Sequence, residues 1–300
     1  MVENPEKDNL EVYYQIYSRN PYPYASVDRI VLWALQGELE ANAKNPSIKQ
    51  YFQKLIESTN IDSDTHGILR TMLVFGDAYV RLVRNDKGDL ERLHHLDPKN
   101  VEIKCDKEGK ITEFAAKFDE EITSYSPENV LHFRWNPQKN TPYGTSIMKG
   151  LGPLVEREDK IMSDFLSALE KSTLGHPTNF DSERNLNELK TIPYMIAEYT
   201  QVPIGLLTMN VENEVAHELQ MRDFEKLCQS IRDLIRNEII EKIIKPETVR
   251  NGFEEIASIG WKRKEKPNLD EMKKIIEKAK WGIISLEEAK VQLGIKEYYV

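Results

Sequence analysis

The stretch Asn129–Gly175, NVLHFRWNPQKNTPYGTSIMKGLGPLVEREDKIMSDFLSALEKSTLG, governs how the rest of the chain is read. Leu131, Phe133 and Trp135 alternate with His132 and Arg134, the period of a strand over Val130–Trp135. NPQKNTPYG follows, with two prolines, two asparagines and a glycine, and breaks regular structure. A helix is expected from about Thr145, its N-cap. Its apolar residues are Ile147, Leu151, Leu154, Val155, Ile161, Met162, Phe165 and Leu169, near a 3.6-residue period. Gly152 and Pro153 are expected to bend its first turns, and Gly175 with His176-Pro177 to stop it. At ~1.5 Å per residue such a helix is roughly 40 Å long, a strut between two bodies.

Upstream, the tyrosine-rich residues 1–24 read as an arm packed on the body or on a neighbour. An amphipathic helix is expected over Ala25–Ala41, a second from Pro46 or Ser47 to Glu57, and a third capped by Asp62 or Ser63. At Gly76 the period changes to two. Ala78–Val83, Leu90–Leu96, Val101–Cys105, Ile111–Phe118, Glu121–Tyr125 and Val130–Trp135 then read as one antiparallel meander, with turns at Asn85–Gly88 and DKEGK.

Downstream, a shorter helix interrupted by Pro193 is expected within His176–Thr200. Two strands are expected at Val202–Met209 and Val215–Leu219. A second long helix is expected over Asp223–Ile244, ended by Pro246 and paired with the first as an antiparallel stem. The chain then offers a strand within Phe253–Trp261, a charged turn at residues 262–267, a helix to Trp281, and a last helix with the capping box Ser285/Glu288.

The order of these elements resembles portal proteins of tailed viruses, the head–tail connectors through which DNA is packaged. The resemblance rests on VLHFRW followed by Tyr143-Gly144-Thr145-Ser146 and a long helix. It extends to Gly76-Asp77-Ala78-Tyr79-Val80, to Leu93 with Leu96-Asp97-Pro98 and Val101, and to GIISLEEAKVQLGI near the end. It covers about Tyr22 to Ile295. It implies an α+β, portal-like fold: a wing of helices and antiparallel sheet (1–144), a first stem helix (145–175), a small α/β clip (176–219), a second stem helix (220–246) and a C-terminal wing strand with helices (247–300). It also implies a dodecameric ring at the capsid vertex of a virion, assembled in the host cytoplasm, through which double-stranded DNA passes. The implied partners are the terminase large subunit, a head–tail adaptor and the major capsid protein. Gly76, Asp97, Pro98, His132, Tyr143, Gly144 and Ser146 are then residues of structural motifs. An extended C-terminal crown, which many portals carry, is not expected from this sequence.

Composition bounds this reading. The 300 residues suffice for one large or two modest domains, and 30% are charged. The net charge of −9 is opposite to that of a phosphate-gripping module. It fits a wall that lets DNA slip past, and equally a surface that only keeps the chain in solution. Stem acids Glu156, Glu158, Asp159 and Glu225 are candidates for a channel lining or for inter-subunit ion pairs. No apolar run approaches the ~20 residues of a membrane helix, and the polar, acidic N-terminus is unlike a signal peptide. Cys105 and Cys228 lie far apart, as in a reducing compartment.

Catalytic motifs are missing from the sequence. It has no GxxxxGKS/T, no GxGxxG after a strand and no HExxH. Adjacent His94 and His95 face opposite sides of a strand, and His132 reads as a polar strand residue. Asp119-Glu120-Glu121 and Lys262-Arg263-Lys264 read as solvated charge. No cofactor or metal is expected, and a non-enzymatic role is. The alternatives are a cellular scaffold or adaptor that binds a partner through the stem, and a metal-dependent nuclease without a recognisable motif.

Overall fold

A computed structural model describes residues 2, 4–119, 121–139, 141–174, 180–211, 213–262, 269–280, 285 and 288. The aromatic N-terminal arm is helical: α1 (Leu10–Arg19) buries Leu10, Tyr13, Ile16 and Tyr17 against the body. Helix α2 (Pro21–Ala34) ends seven residues before the expected boundary, and Gly37 (φ 119°) turns the chain into strand β1 (Glu38–Asn42). Leu39 and Ala41, expected within the helix from sequence, instead alternate with half-exposed Glu38 and Glu40. Their strand state depends on a remote partner, which local periodicity cannot reveal. Helix α3 (Pro46–Ser58) is capped by Asn45, whose side chain accepts from Ser47 N. Helix α4 (Ile61–Phe75) carries Asp62 and Asp64 in its first turn, where the helix dipole favours anions, and stops at left-handed Gly76.

The next six strands are β2 (Asp77–Arg84), β3 (Leu90–Leu96), β4 (Val101–Cys105), β5 (Ile111–Phe118), β6 (Glu121–Tyr125) and β7 (Val130–Arg134). They form two sheets rather than one meander, in the orders β3-β2-β7 and β4-β5-β6. β7 leaves its sequence neighbour and pairs antiparallel with β2, setting Tyr79 opposite His132 and Val80 opposite Leu131. The two faces of this sheet serve different cores. Ala78, Val80, Leu82, Leu131 and Phe133 join the large helical core. Tyr79 and Val130 join a smaller one with Leu96, Val101, Ile103, Phe114, Ala116 and Tyr143. Period-two alternation thus reads as two buried faces, since both sides of the sheet are covered.

After β7 the chain makes a 3-10 turn (Ile147–Gly150) and then α5 (Gly152–Thr173). Thr145 is not the cap of α5. Ser146 caps the preceding turn, and Gly152-Pro153 begin α5 instead of bending it, as proline suits a first helical turn. Helix α6 (Ser182–Thr200), capped by Asp181, keeps Pro193 inside it. No strand occurs among the described residues of 180–219. Short α7 (Ile204–Thr208) and the start of α8 (Glu214–Ile239) occupy the positions expected to be strands. The Ile204-Gly205-Leu206-Leu207 run is short and apolar, and such runs do not distinguish helix from strand by period.

Helix α5 packs on α6, with Arg157 donating to Glu188 (Nε, 2.8 Å), whereas α8 packs on α2 and β7. The expected direct pairing of α5 with α8 is not the main packing of either. Nor does Pro246 end the second long helix. A π turn (Ile240–Ile244) follows α8, and Pro246 enters at the first turn of α9 (Lys245–Arg250), where no N–H is needed. Strand β8 (Ser258–Lys262) pairs antiparallel with β1, and α10 spans Leu269–Lys280. The Ser285/Glu288 capping box forms: Ser285 N donates to Glu288 (2.8 Å) and Glu288 N to Ser285 Oγ (3.1 Å). The helix expected around it, the charge run at 263–267 and the His176-Pro177 stop lie outside the described residues.

Candidate functional site

Five of the motif residues, Gly76, His132, Tyr143, Gly144 and Ser146, converge on one knot where α4, both sheets and the turn into α5 meet. Gly76 and Gly144 cross in backbone contact. A Cβ on Gly144 would lie 2.0 Å from Gly76 O and 2.7 Å from Trp135 O. One on Gly76, whose φ is +89°, would lie 2.8 Å from Ser146 N. Around this crossing the backbone is laced: Trp135 N donates to Gly76 O (2.8 Å) and Thr145 N to Trp135 O (2.7 Å). Ser146 Oγ donates to Val74 O (2.5 Å) at the end of α4 and accepts from Met148 N (2.9 Å) at the start of the turn into α5.

Asp77 is the charged centre. Its side chain is almost fully buried, and its oxygens accept from Gly144 N (3.1 and 3.0 Å) and from His132 Nε2 (2.7 Å). The His132 ring stacks on Tyr79 at 4.6 Å and meets Phe114 edge-on at 5.3 Å. Its backbone N–H donates to Glu238 of α8 (3.1 Å). His132 is thus a polar strand residue, as expected, and its side chain is a buried connector. Tyr143 extends the knot. Its hydroxyl donates to Val2 O (3.0 Å) and accepts from Ile103 N (2.9 Å), and burial pushes its pKa up to about 12. Burial, then the nearby Asp77 charge, pushes the Tyr79 phenol well above its ordinary range. Asp97 and Pro98 act locally: Asp97 Oδ1 accepts from Lys99 N (3.0 Å), which starts the turn into β4.

Sequence reasoning named the GDAYV element but not Asp77 as its centre, and it missed Glu238. The signal for Asp77 was an acid beside an apolar strand, which is costly unless it finds donors. Glu247, also missed, is buried behind Pro246 and accepts from Arg84 (2.5 Å) and Tyr51 (3.2 Å), tying α9 to β2 and α3.

Three of the four candidate stem acids, Glu156, Glu158 and Asp159, lie in α5 and Glu225 lies in α8. Glu156, Asp159 and Glu225 are exposed, and among the described residues none of the four forms an ion pair. Glu158 is half-buried with one carboxylate oxygen unpartnered. Burial, and then the Asp159 charge, raises its pKa. His94 and His95 diverge as expected, towards Phe118 and Asp64 respectively. No group of three metal-ligating side chains occurs among the described residues, and no helix there is long and apolar enough to cross a membrane.

The second notable surface is apolar and uncovered. Only Val155 and Ile161 of α5 are buried, while Met162, Phe165, Leu166 and Leu169 are exposed, as is Leu186 of α6. Beyond α7, Met209, Val211, Val215 and Leu219 are exposed as well.

The chain is a mixed body of helices and small antiparallel sheets with two long helices, α5 and α8, and it was compared with known proteins and solved structures as a whole. No family model matches the chain, and no curated protein does. The neck of a native gene transfer agent particle computed with C12 symmetry aligns over 99% of this chain and 96% of that chain, with TM-score 0.62 and 14% identity. The virion of the native gene transfer agent particle gives TM-score 0.61 and 13% identity over the same shares. A portal protein of the HK97 phage family from Corynebacterium diphtheriae aligns over 81% of this chain and 92% of that chain, with TM-score 0.53 and 8% identity. This chain therefore has the fold of phage portal and connector proteins, as its α+β, portal-like reading implied.

Proposed function

We propose that this chain is the ring-forming portal subunit of a tailed-virus-like particle or provirus, a DNA conduit and docking platform rather than an enzyme. The observation that carries the reading is the whole-chain match to a particle neck, with nearly all of both chains aligned. The uncovered apolar residues of α5 and α6 support it, because a single soluble chain does not ordinarily leave such a face open. On this reading 1–144 and 247–300 form the wing, 145–175 and 220–246 the stem, and 176–219 a helical clip. Twelve copies close at the capsid vertex, after assembly in the host cytoplasm. The terminase large subunit and then a head–tail adaptor dock on the ring, and the major capsid protein surrounds it.

The channel wall repels phosphate, so DNA is packaged and ejected without adhering. Glu156, Glu158, Asp159 and Glu225 are proposed for that wall or for pairs between copies. The test is the mass of the purified chain and its appearance in negative stain. A particle near twelve times 34.9 kDa with a central hole is expected. A stable monomer or dimer at every concentration favours the alternative, a cellular scaffold or adaptor.

A further inference from the structure

Two arginines stand side by side on the β3-β2-β7 sheet without an acid between them. We propose that Arg81 and Arg92, with His94 beside them, form a binding site for phosphate groups, carried by a nucleic acid strand or by a free polyphosphate. The site lies on the sheets, away from α5 and α8, and does not depend on ring closure.

Strand register puts the three side chains on one face. Arg81 of β2 lies directly opposite His94 of β3, and Val83 lies opposite Arg92. Opposed residues share a face, so Arg81 and Arg92 are diagonal neighbours across the pair, ~7–8 Å apart at the backbone. The same face carries Tyr79, which the second sheet covers: Phe114 of β5 meets the Tyr79 ring at 5.8 Å. Beyond Tyr79 the two sheets touch through polar and aromatic side chains. The Arg81 guanidinium lies over the Tyr125 ring of β6 at 4.9 Å, and His94 tilts against Phe118 of β5 at 6.4 Å. Arg92 is exposed, and Phe118 is 41% exposed.

Charge points to the ligand. Arg84, on the same strand, pairs with Glu247, and Arg250 pairs with Asp89. Among the described residues no carboxylate pairs with Arg81 or Arg92, in a chain of 50 acidic and 41 basic side chains. Burial pushes the His94 pKa down, and the Arg92, Arg81 and His95 charges add to it, as a positive field does. Glu121 shares the Phe118 face of the β5–β6 pair and forms no ion pair among the described residues. Like charges held side by side cost stability, and an anion that joins them restores it. Guanidinium forks match phosphate oxygens two at a time, and Tyr125 holds one fork in place. Phe118 adds an aromatic face for a stacked base, which favours a nucleotide phosphate.

The test titrates the full chain with inorganic tripolyphosphate and with a short fluorescent thymidylate oligomer, in low salt. Both probes are expected to bind. Arg81→Gln and Arg92→Gln should each weaken both about tenfold, as loss of a charged hydrogen bond does, and the double variant should abolish binding. Glu121→Gln should tighten it. Lys107→Gln, in the exposed β4–β5 turn, should change nothing. Arg92 is exposed, so Arg92→Gln is expected to melt no lower than the wild type, which separates lost binding from lost folding. Phe118→Ala distinguishes the sources: weakening of the oligomer alone assigns a nucleic acid, and weakening of neither assigns a free polyphosphate. Failure of both probes to bind overturns the site, as does binding that survives the double variant. A polyglutamate peptide that binds more tightly than either probe, and is lost in the double variant, overturns the phosphate assignment and gives the site to an acidic protein segment.

Discussion

The Asp77 knot and the distal half of α5 share one segment of sequence and follow opposite rules. In the knot Asp77 accepts from Gly144 N and His132 Nε2, and two glycines let backbones touch. From twenty residues after Ser146, α5 turns Leu166 and Leu169 to solvent. The knot is built within one chain; the helix face is left open by it. Stability is concentrated in the first region; on the proposed ring, association falls to the second.

This contrast can be broken most sharply at Gly144. Gly144→Ala places a methyl group inside two carbonyl contacts, so it should cost more than about 4 kcal/mol and leave little folded protein in a urea melt. Asp77→Ala strands Gly144 N and His132, and a loss of about 3–5 kcal/mol is expected by the same melt. On the helix face, Leu169→Ser should change monomer stability by no more than about 0.5 kcal/mol while reducing the assembled fraction in sedimentation. If Leu169→Ser destabilises the monomer as Asp77→Ala does, the division between the regions is wrong.

The smallest effect separates two glutamates by pH. Glu6 loses by burial but gains more from hydrogen bonds with Lys149 and Tyr13, so its pKa is lowered. The unfolded chain then binds more protons at acid pH. The stability Glu6 contributes is fully present above the ordinary glutamate pKa of about 4.3 and is lost as pH falls through the folded value. Glu158, raised by burial and by Asp159, has the opposite sign: stability falls as pH rises through its folded pKa. Glu6→Gln should therefore flatten acid destabilisation, and Glu158→Gln should slightly stabilise the chain at neutral pH. Melts between pH 3 and 7 check both.

Much of the fold was legible because it is local. The period change at Gly76, the β2–β3 and β4–β5 turns and the YGTS motif announced themselves within ten residues. The failures came from remote partners. β1 exists because Ser258–Lys262 lies beside it, and β7 joins β2 instead of β6 because the Gly76–Gly144 crossing draws it there. Leu206 and Leu207 read as strand because nothing local reveals that α2 lies behind α7. Pro246 read as a stop because a π turn restarts the helix around it. At the site, residue types were right and roles incomplete: Tyr143, Gly144 and Ser146 were found, while Asp77 is evident only once its three donor contacts converge.

The β1–β8 ribbon has a consequence for biosynthesis. Its strands, joined also by Ser258 Oγ to Asn42 O, are 216 positions apart. A ribosome must therefore deliver most of the polypeptide before Leu39 and Ala41 obtain their mate. Such long-range closure is slow. Until then, Asp62 and Gln53, which accept from the Leu39 and Ala41 amides on the ribbon's other side, hold an unfinished edge. A truncated translation product would lack this last seam, and quality-control proteases would find it open.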